Sequence, residues 1–150
     1  MGIEMDREIL FRGKTISDDR WVYGDYCQSD FGEVTIHINA GRQSGLHRVV
    51  DPSTVGQYTG LRDAENKRIF DGDILLCENK HLVVWWNGEA FQWQAKEKQE
   101  VTCTFDGKKQ AVVWDNIDLG WIAAEVPISG KMTTKVIGNI YDNPELLEVK

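Results

Sequence analysis

Apolar residues recur at every second position along much of the chain, and polar bends, most of them containing glycine, interrupt them at short intervals. A period of two is the mark of a half-buried strand. The clearest case is Glu33–Asn39, where Val34, Ile36 and Ile38 alternate with polar neighbours. Upstream, Glu8–Phe11 predicts a first strand ended by Arg12-Gly13-Lys14. Ser17-Asp18-Asp19 then reads as a turn, because short polar side chains bond their own backbone there. Trp21–Tyr26 follows, rich in aromatic and β-branched residues. After Asp51-Pro52-Ser53 the pattern continues through Val55–Leu61, Ile69-Phe70, Ile74–Leu76, His81–Asn87, Ala90–Ala95, Val101–Phe105, Ala111–Trp114, Gly120–Ala124 and Thr134–Tyr141. Arg62 to Arg68 reads as a loop or hairpin turn. Asp71-Gly72, Asn87-Gly88 and Asp106-Gly107 suit tight turns, and the last two are expected to join strands as two-residue hairpin loops.

Helical signals are few. Ser53–Gln57 is too short to matter. Asn143-Pro144-Glu145-Leu146-Leu147 predicts one helical turn, with Asn as cap, Pro at the first helical position and Glu in the first turn. Many short strands spaced eight to twelve residues apart place the chain in the mostly-β class, as a small, partly open barrel or barrels, or a sandwich. Residues 1–150 read as one unit, with a candidate subdivision into an N-terminal β part, 1–52, and a C-terminal β-barrel part, 53–150. The 106–133 stretch, looser in pattern, is a candidate hairpin excursion.

Composition narrows the picture. The 150 residues are 41% hydrophobic, enough for a core. Six Trp, five Phe and four Tyr supply large buried rings. The formal charge is −7, and only 41–60 leans positive, through Arg42 and Arg48 against Asp51. Binding to nucleic acid through many phosphate contacts calls for the opposite balance. Cys27, Cys77 and Cys103 are odd in number and far apart, which argues against a disulfide framework or zinc ribbon and reads as buried thiols. The polar, acidic N-terminus is not that of a signal peptide, and no apolar run approaches the length of a membrane span. A soluble, cytoplasmic protein is expected.

Each candidate for chemistry has a competing structural use. Asp71-x-Asp73 could direct two carboxylates at Mg²⁺, but Gly72 between them marks a turn, and the rest of a calcium loop is missing. Turn chemistry is the better account. His37, His47 and His81 lack helical zinc spacing, and His37 sits at the polar phase of its strand. There is no Gly-x-Ser-x-Gly elbow and no glycine-rich phosphate loop; Gly56 and Gly60 bracket the bulky Gln57-Tyr58-Thr59. Trp85-Trp86 puts two indoles on opposite faces of a strand, one inward and one outward. The outward ring suits a protein contact better than base stacking, given the negative charge.

Three stretches resemble the YopX protein family, found mainly in bacteriophages and prophages. The first is Arg7-Glu8-Ile9-Leu10-Phe11-Arg12-Gly13-Lys14 followed by Trp21-Val22-Tyr23-Gly24. The second is Val55-Gly56-Gln57-Tyr58-Thr59-Gly60-Leu61-Arg62-Asp63, running to Ile69-Phe70-Asp71-Gly72-Asp73-Ile74. The third is Val136-Ile137-Gly138-Asn139-Ile140-Tyr141-Asp142-Asn143-Pro144-Glu145-Leu146-Leu147. They occur in the family's order and span nearly the whole chain, while 77–133 follows no shared pattern. The resemblance implies a β-rich accessory protein of phage type, with no catalytic residue, cofactor or metal ligand to carry over. The entry through Ile69–Leu75 is similar to that of SH3-like barrels, a likeness of fold that licenses no function.

The expectation from sequence is therefore a non-enzymatic protein acting through contacts with a host or phage protein, or with further copies of itself. Alternatives are a small β-barrel that binds nucleic acid, or an enzyme using Asp71 and Asp73. Tyr58, Asp71, Asp73, Trp86, Asn139 and Tyr141 form the candidate interaction surface.

Overall fold

A computed structural model of the chain describes residues 8–38, 45–105, 108–119 and 134–148. The molecule is mostly β-structure and divides into two compact units, Met1–Gly60 and Leu61–Lys150. The Asp106-Gly107 turn and the Gly120–Ala124 strand expected from sequence lie outside the described residues.

The first unit is an antiparallel sheet. Its strands are β1 (Phe11–Lys14), β2 (Trp21–Gln28), β3 (Val34–Ile38), β4 (Leu46–Val49) and the start of β5 (Gly56–Arg62), hydrogen-bonded in the order β4-β3-β2-β1-β5. Its core is Val34, Ile36 and Val50, with Phe11, Val22, Ile38 and Val55 packed against them. The period-two residues of β3 thus face inward, as the alternation predicts. Burying a residue such as Ile36 in full stabilises by about 1.5–3 kcal/mol.

β1 lies three residues further along than expected, and the supposed terminator Arg12-Gly13-Lys14 is part of it. Arg12 pairs with Tyr23 and Lys14 with Trp21, so both cations share a face with the indole; Arg12 Cζ lies 4.6 Å from the Trp21 ring centroid. Cation–π attraction holds these charged residues in the strand. Gly13 allows the close packing: a Cβ there would stand 3.0 Å from Val50 Cβ. β4 has no counterpart in the sequence reading. All four of its residues are exposed, so no alternation marks it.

The second unit carries a five-stranded antiparallel sheet, β10-β9-β8-β7-β11, built from β7 (Asp73–Cys77), β8 (Lys80–Asn87), β9 (Gln92–Phe105), β10 (Lys108–Asp118) and β11 (Thr134–Asn139). The short β6 (Arg68–Phe70) precedes it, and a 3₁₀ turn at Pro144–Leu147 follows, the helical turn expected there. Ile69, Leu75, Cys77, Leu82, Val84, Ala95 and Leu119 form the core, joined by Leu61, Trp93 and Val136. Among the described residues neither sheet closes into a barrel.

Two hairpins differ from the sequence reading. β7 and β8 are joined by Glu78-Asn79, both at positive φ (48° and 68°), the geometry of a type I′ turn. Asn87-Gly88 is not a two-residue turn. Asn87 still pairs with Gln92, and its Oδ1 accepts from Glu89 N (3.0 Å) and Ala90 N (3.3 Å), which folds residues 88–91 into a longer loop. The expected strands at 90–95 and 101–105 are one strand, β9, paired along its length with β10 through a single register shift.

Candidate functional site

The turn Asp71-Gly72 joins β6 to β7, whose first residue is Asp73. Asp73 is 2% exposed, and its Oδ2 accepts the Phe70 N–H at 2.8 Å. Gly72 has φ +85°, donates its N–H to Val84 O (2.9 Å) and accepts from Ile140 N (2.9 Å). A glycine is required here. The left-handed conformation disfavours other residues, and a Cβ would approach Tyr141 Cε2 to 3.2 Å.

Asn139 lies opposite Asp73 in the β7–β11 ladder. Its Oδ1 accepts from Tyr141 N (3.0 Å) and Asp142 N (2.9 Å), and its Nδ2 donates to Asp142 Oδ2 (3.1 Å). Four of the six candidate residues, Asp71, Asp73, Asn139 and Tyr141, therefore sit at one corner of the second unit. Asp73 and Asn139 thus both accept from backbone N–H groups, and Asn139 also donates to Asp142. Such groups fix a corner, because a buried polar atom left unpaired costs roughly 1–3 kcal/mol. Among the described residues no set of three His, Cys, Asp or Glu side chains is placed to hold a metal ion.

A second hub was not singled out from sequence. Asp63, 8% exposed, receives Glu65 N (2.9 Å) and Lys67 N (2.8 Å) on Oδ1, and Val136 N (2.9 Å) on Oδ2. Ala64 N donates to Thr134 O (2.9 Å), so the Asp63-Ala64 turn takes up backbone groups of β11. Covering strand groups in this way limits pairing with other chains. Lys135 and Glu65 pair across the same place at 2.9 Å, and the hydrogen bond and charge of Glu65 hold the Lys135 ammonium above its ordinary pKa.

The remaining candidates part company. Tyr58 is 5% exposed in the first unit, whereas Trp86 on β8 is 45% exposed. Trp86 stacks edge-on against Trp93 of β9, with centroids 5.2 Å apart, and Lys96 lies 4.6 Å over the ring of its half-buried neighbour Trp85. Phe91, at the tip of the same hairpin, is 81% exposed and holds φ +52°. A bulky residue at positive φ is strained by about 1–3 kcal/mol.

In the first unit Cys27 is exposed, not buried as the sequence suggested, because it lies on the outward face of β2; Cys77 is buried. His81, in the second unit, donates Nδ1–H to Leu146 O at 2.6 Å.

The family model described as YopX protein matches residues 10–148. The chain belongs to the YopX protein family. Its second and third shared stretches meet in space, through the bond from Val136 N to Asp63, 73 residues apart, and through the pairing of Asp73 with Asn139. In this YopX protein those stretches thus build a corner and cover a strand edge. A crystal structure titled protein EF1440 from Enterococcus faecalis is similar, with TM-score 0.45 and 21% identity over 94% of this chain and 99% of that one. No curated protein matches.

Proposed function

We propose that this YopX protein is a non-enzymatic accessory protein of phage or prophage origin, acting in the cytoplasm through contacts with another protein or with further copies of itself. The observation that carries this reading is the β8–β9 hairpin tip. Trp86 and Phe91 expose apolar rings there, at 45% and 81%, and Phe91 does so from a strained backbone. Strain held at an exposed aromatic finds its compensation most readily in a bound partner. Exposed indoles are also enriched where contact energy is concentrated. The charge of −7 favours a protein over nucleic acid as that partner.

The corner at Asp71, Asp73, Asn139 and Tyr141 supports the reading by its own bonding. Asp73 accepts from Phe70 N and Asn139 from Tyr141 N and Asp142 N, so both side chains brace backbone at that corner.

The test compares the wild-type chain with Trp86→Ser/Phe91→Ser by sedimentation velocity across a concentration series and by capture from host lysate. Association or capture that disappears in the double variant, with the β-sheet circular dichroism spectrum retained, is expected. A monomer that captures nothing, or a variant that captures the same proteins as wild type, would overturn the assignment.

A further inference from the structure

Across the first sheet, the ladder registers place Asp25 of β2 opposite His37 of β3, and His37 opposite His47 of β4. Residues directly opposite in antiparallel strands project to the same face, so these three form a row. The two imidazoles are in contact: His37 Nε2 and His47 Nδ1 are 2.9 Å apart, with ring centroids at 4.0 Å and planes crossing at 79°. A shared proton accounts for the contact as it stands. The same separation also suits a shared ion.

The geometry points to a chelate site in which His37 Nε2 and His47 Nδ1 bind one divalent transition-metal ion, with Cu(II) as the preferred occupant. Ligand nitrogens each about 2.0–2.1 Å from an ion and 2.9 Å apart subtend roughly 90° at it. A tetrahedral zinc site needs nitrogens about 3.3 Å apart at the same bond lengths. Roughly 90° is the cis angle of square-planar and tetragonal sites, which Cu(II) and Ni(II) favour, and Cu(II) leads in intrinsic affinity. Water fills the other positions, since His47 is exposed and His37 half-buried. Asp25 beside the pair adds negative charge, which favours a cation.

This site is independent of the hairpin tip. It uses residues of the first unit alone, and its test reads metal uptake, not association.

The experiment uses the full chain in a Cys27→Ser background, because that exposed thiol lies on the same sheet and reacts with copper. Cu(II), supplied as its glycine complex, and Zn(II) are titrated by calorimetry, with electron paramagnetic resonance of the copper-loaded chain. One saturable Cu(II) per chain is expected, with nitrogen hyperfine structure from two imidazoles and weaker Zn(II) uptake. His37→Gln and His47→Gln should each weaken Cu(II) binding at least tenfold, while metal-free melting stays as in the parent. No saturable uptake, uptake unchanged in either variant, or zinc preferred over copper would overturn the proposal. The resonance spectrum needs no variant and decides the ligand set even where a substitution disturbs the sheet.

Discussion

Replacing Asp63 with alanine removes three acceptor bonds at once, to Glu65 N, Lys67 N and Val136 N at 2.8–2.9 Å. Glu65 and Lys67 are exposed, so water can replace the carboxylate at their N–H groups, and each loss costs about 0.5–1 kcal/mol. Val136 is half-buried and packs on the core, so its N–H is poorly served by water, at a cost of about 1–3 kcal/mol. The sum is about 2–5 kcal/mol, a large share of a typical stability of roughly 5–15 kcal/mol. With a urea slope of about 2 kcal/mol/M, the midpoint should fall by about 1–2.5 M. Asp63→Asn separates the two halves. Its amide oxygen can still serve the 65–67 turn, but its NH₂ then faces the Val136 N–H, donor against donor. That variant should keep the turn and lose β11 protection. Urea melts followed by amide hydrogen exchange measure both effects. A midpoint within 0.2 M of wild type for the alanine variant, or unchanged Val136 exchange in either, would refute the reasoning.

Other outcomes follow from the same geometry. Gly24→Ala places a Cβ 2.0 Å from His37 O, so the β2–β3 pairing must break; a loss above about 3 kcal/mol is expected in thermal melts. Phe91→Asn relieves strain at φ +52° and should raise stability by about 0.5–1 kcal/mol while weakening association, a trade read by melting and sedimentation together. The side-chain hydrogen bond from Thr15, with smaller help from Ser17, Arg20 and Arg48, holds the Asp18 carboxyl below its ordinary value. A depressed carboxylate pKa contributes stability above the unfolded value, and that contribution fades as pH falls through the folded one. Thr15→Val should therefore return Asp18 toward the ordinary carboxylate range in a carbon-detected NMR titration.

The legible parts of the fold were those where one face is buried. Val34 and Ile36 alternate because they point into a core, and their strand was plain from sequence. β4 was not, since Leu46, His47, Arg48 and Val49 are all exposed and have no alternation to display. The His37–His47 contact was invisible for the same reason: it exists only once β4 is in register. The first strand was misplaced because Arg12 and Lys14 look like a break until Trp21 is seen beneath them. At the hairpins, Glu78-Asn79 lacks glycine and was passed over, while Asn87 stays in its strand by capping the loop with its own side chain. The exposure of Trp86 was expected, but its cause is different: it shares a face with the buried Leu82 and Val84 and is exposed because it lies near the end of β8. Asp63 was not, because its bond to Val136 joins residues 73 apart.

The proposed function makes the hairpin tip the contact surface and the Asp71–Asp73 and Asn139–Tyr141 corner architecture. Hydrogen–deuterium exchange of the chain, free and associated, tests this directly. Added protection on association should concentrate in residues 86–93, with 71–73 and 139–142 unchanged. Protection gained at the 71–73 and 139–142 corner, with 86–93 exchanging as in the free chain, would contradict it.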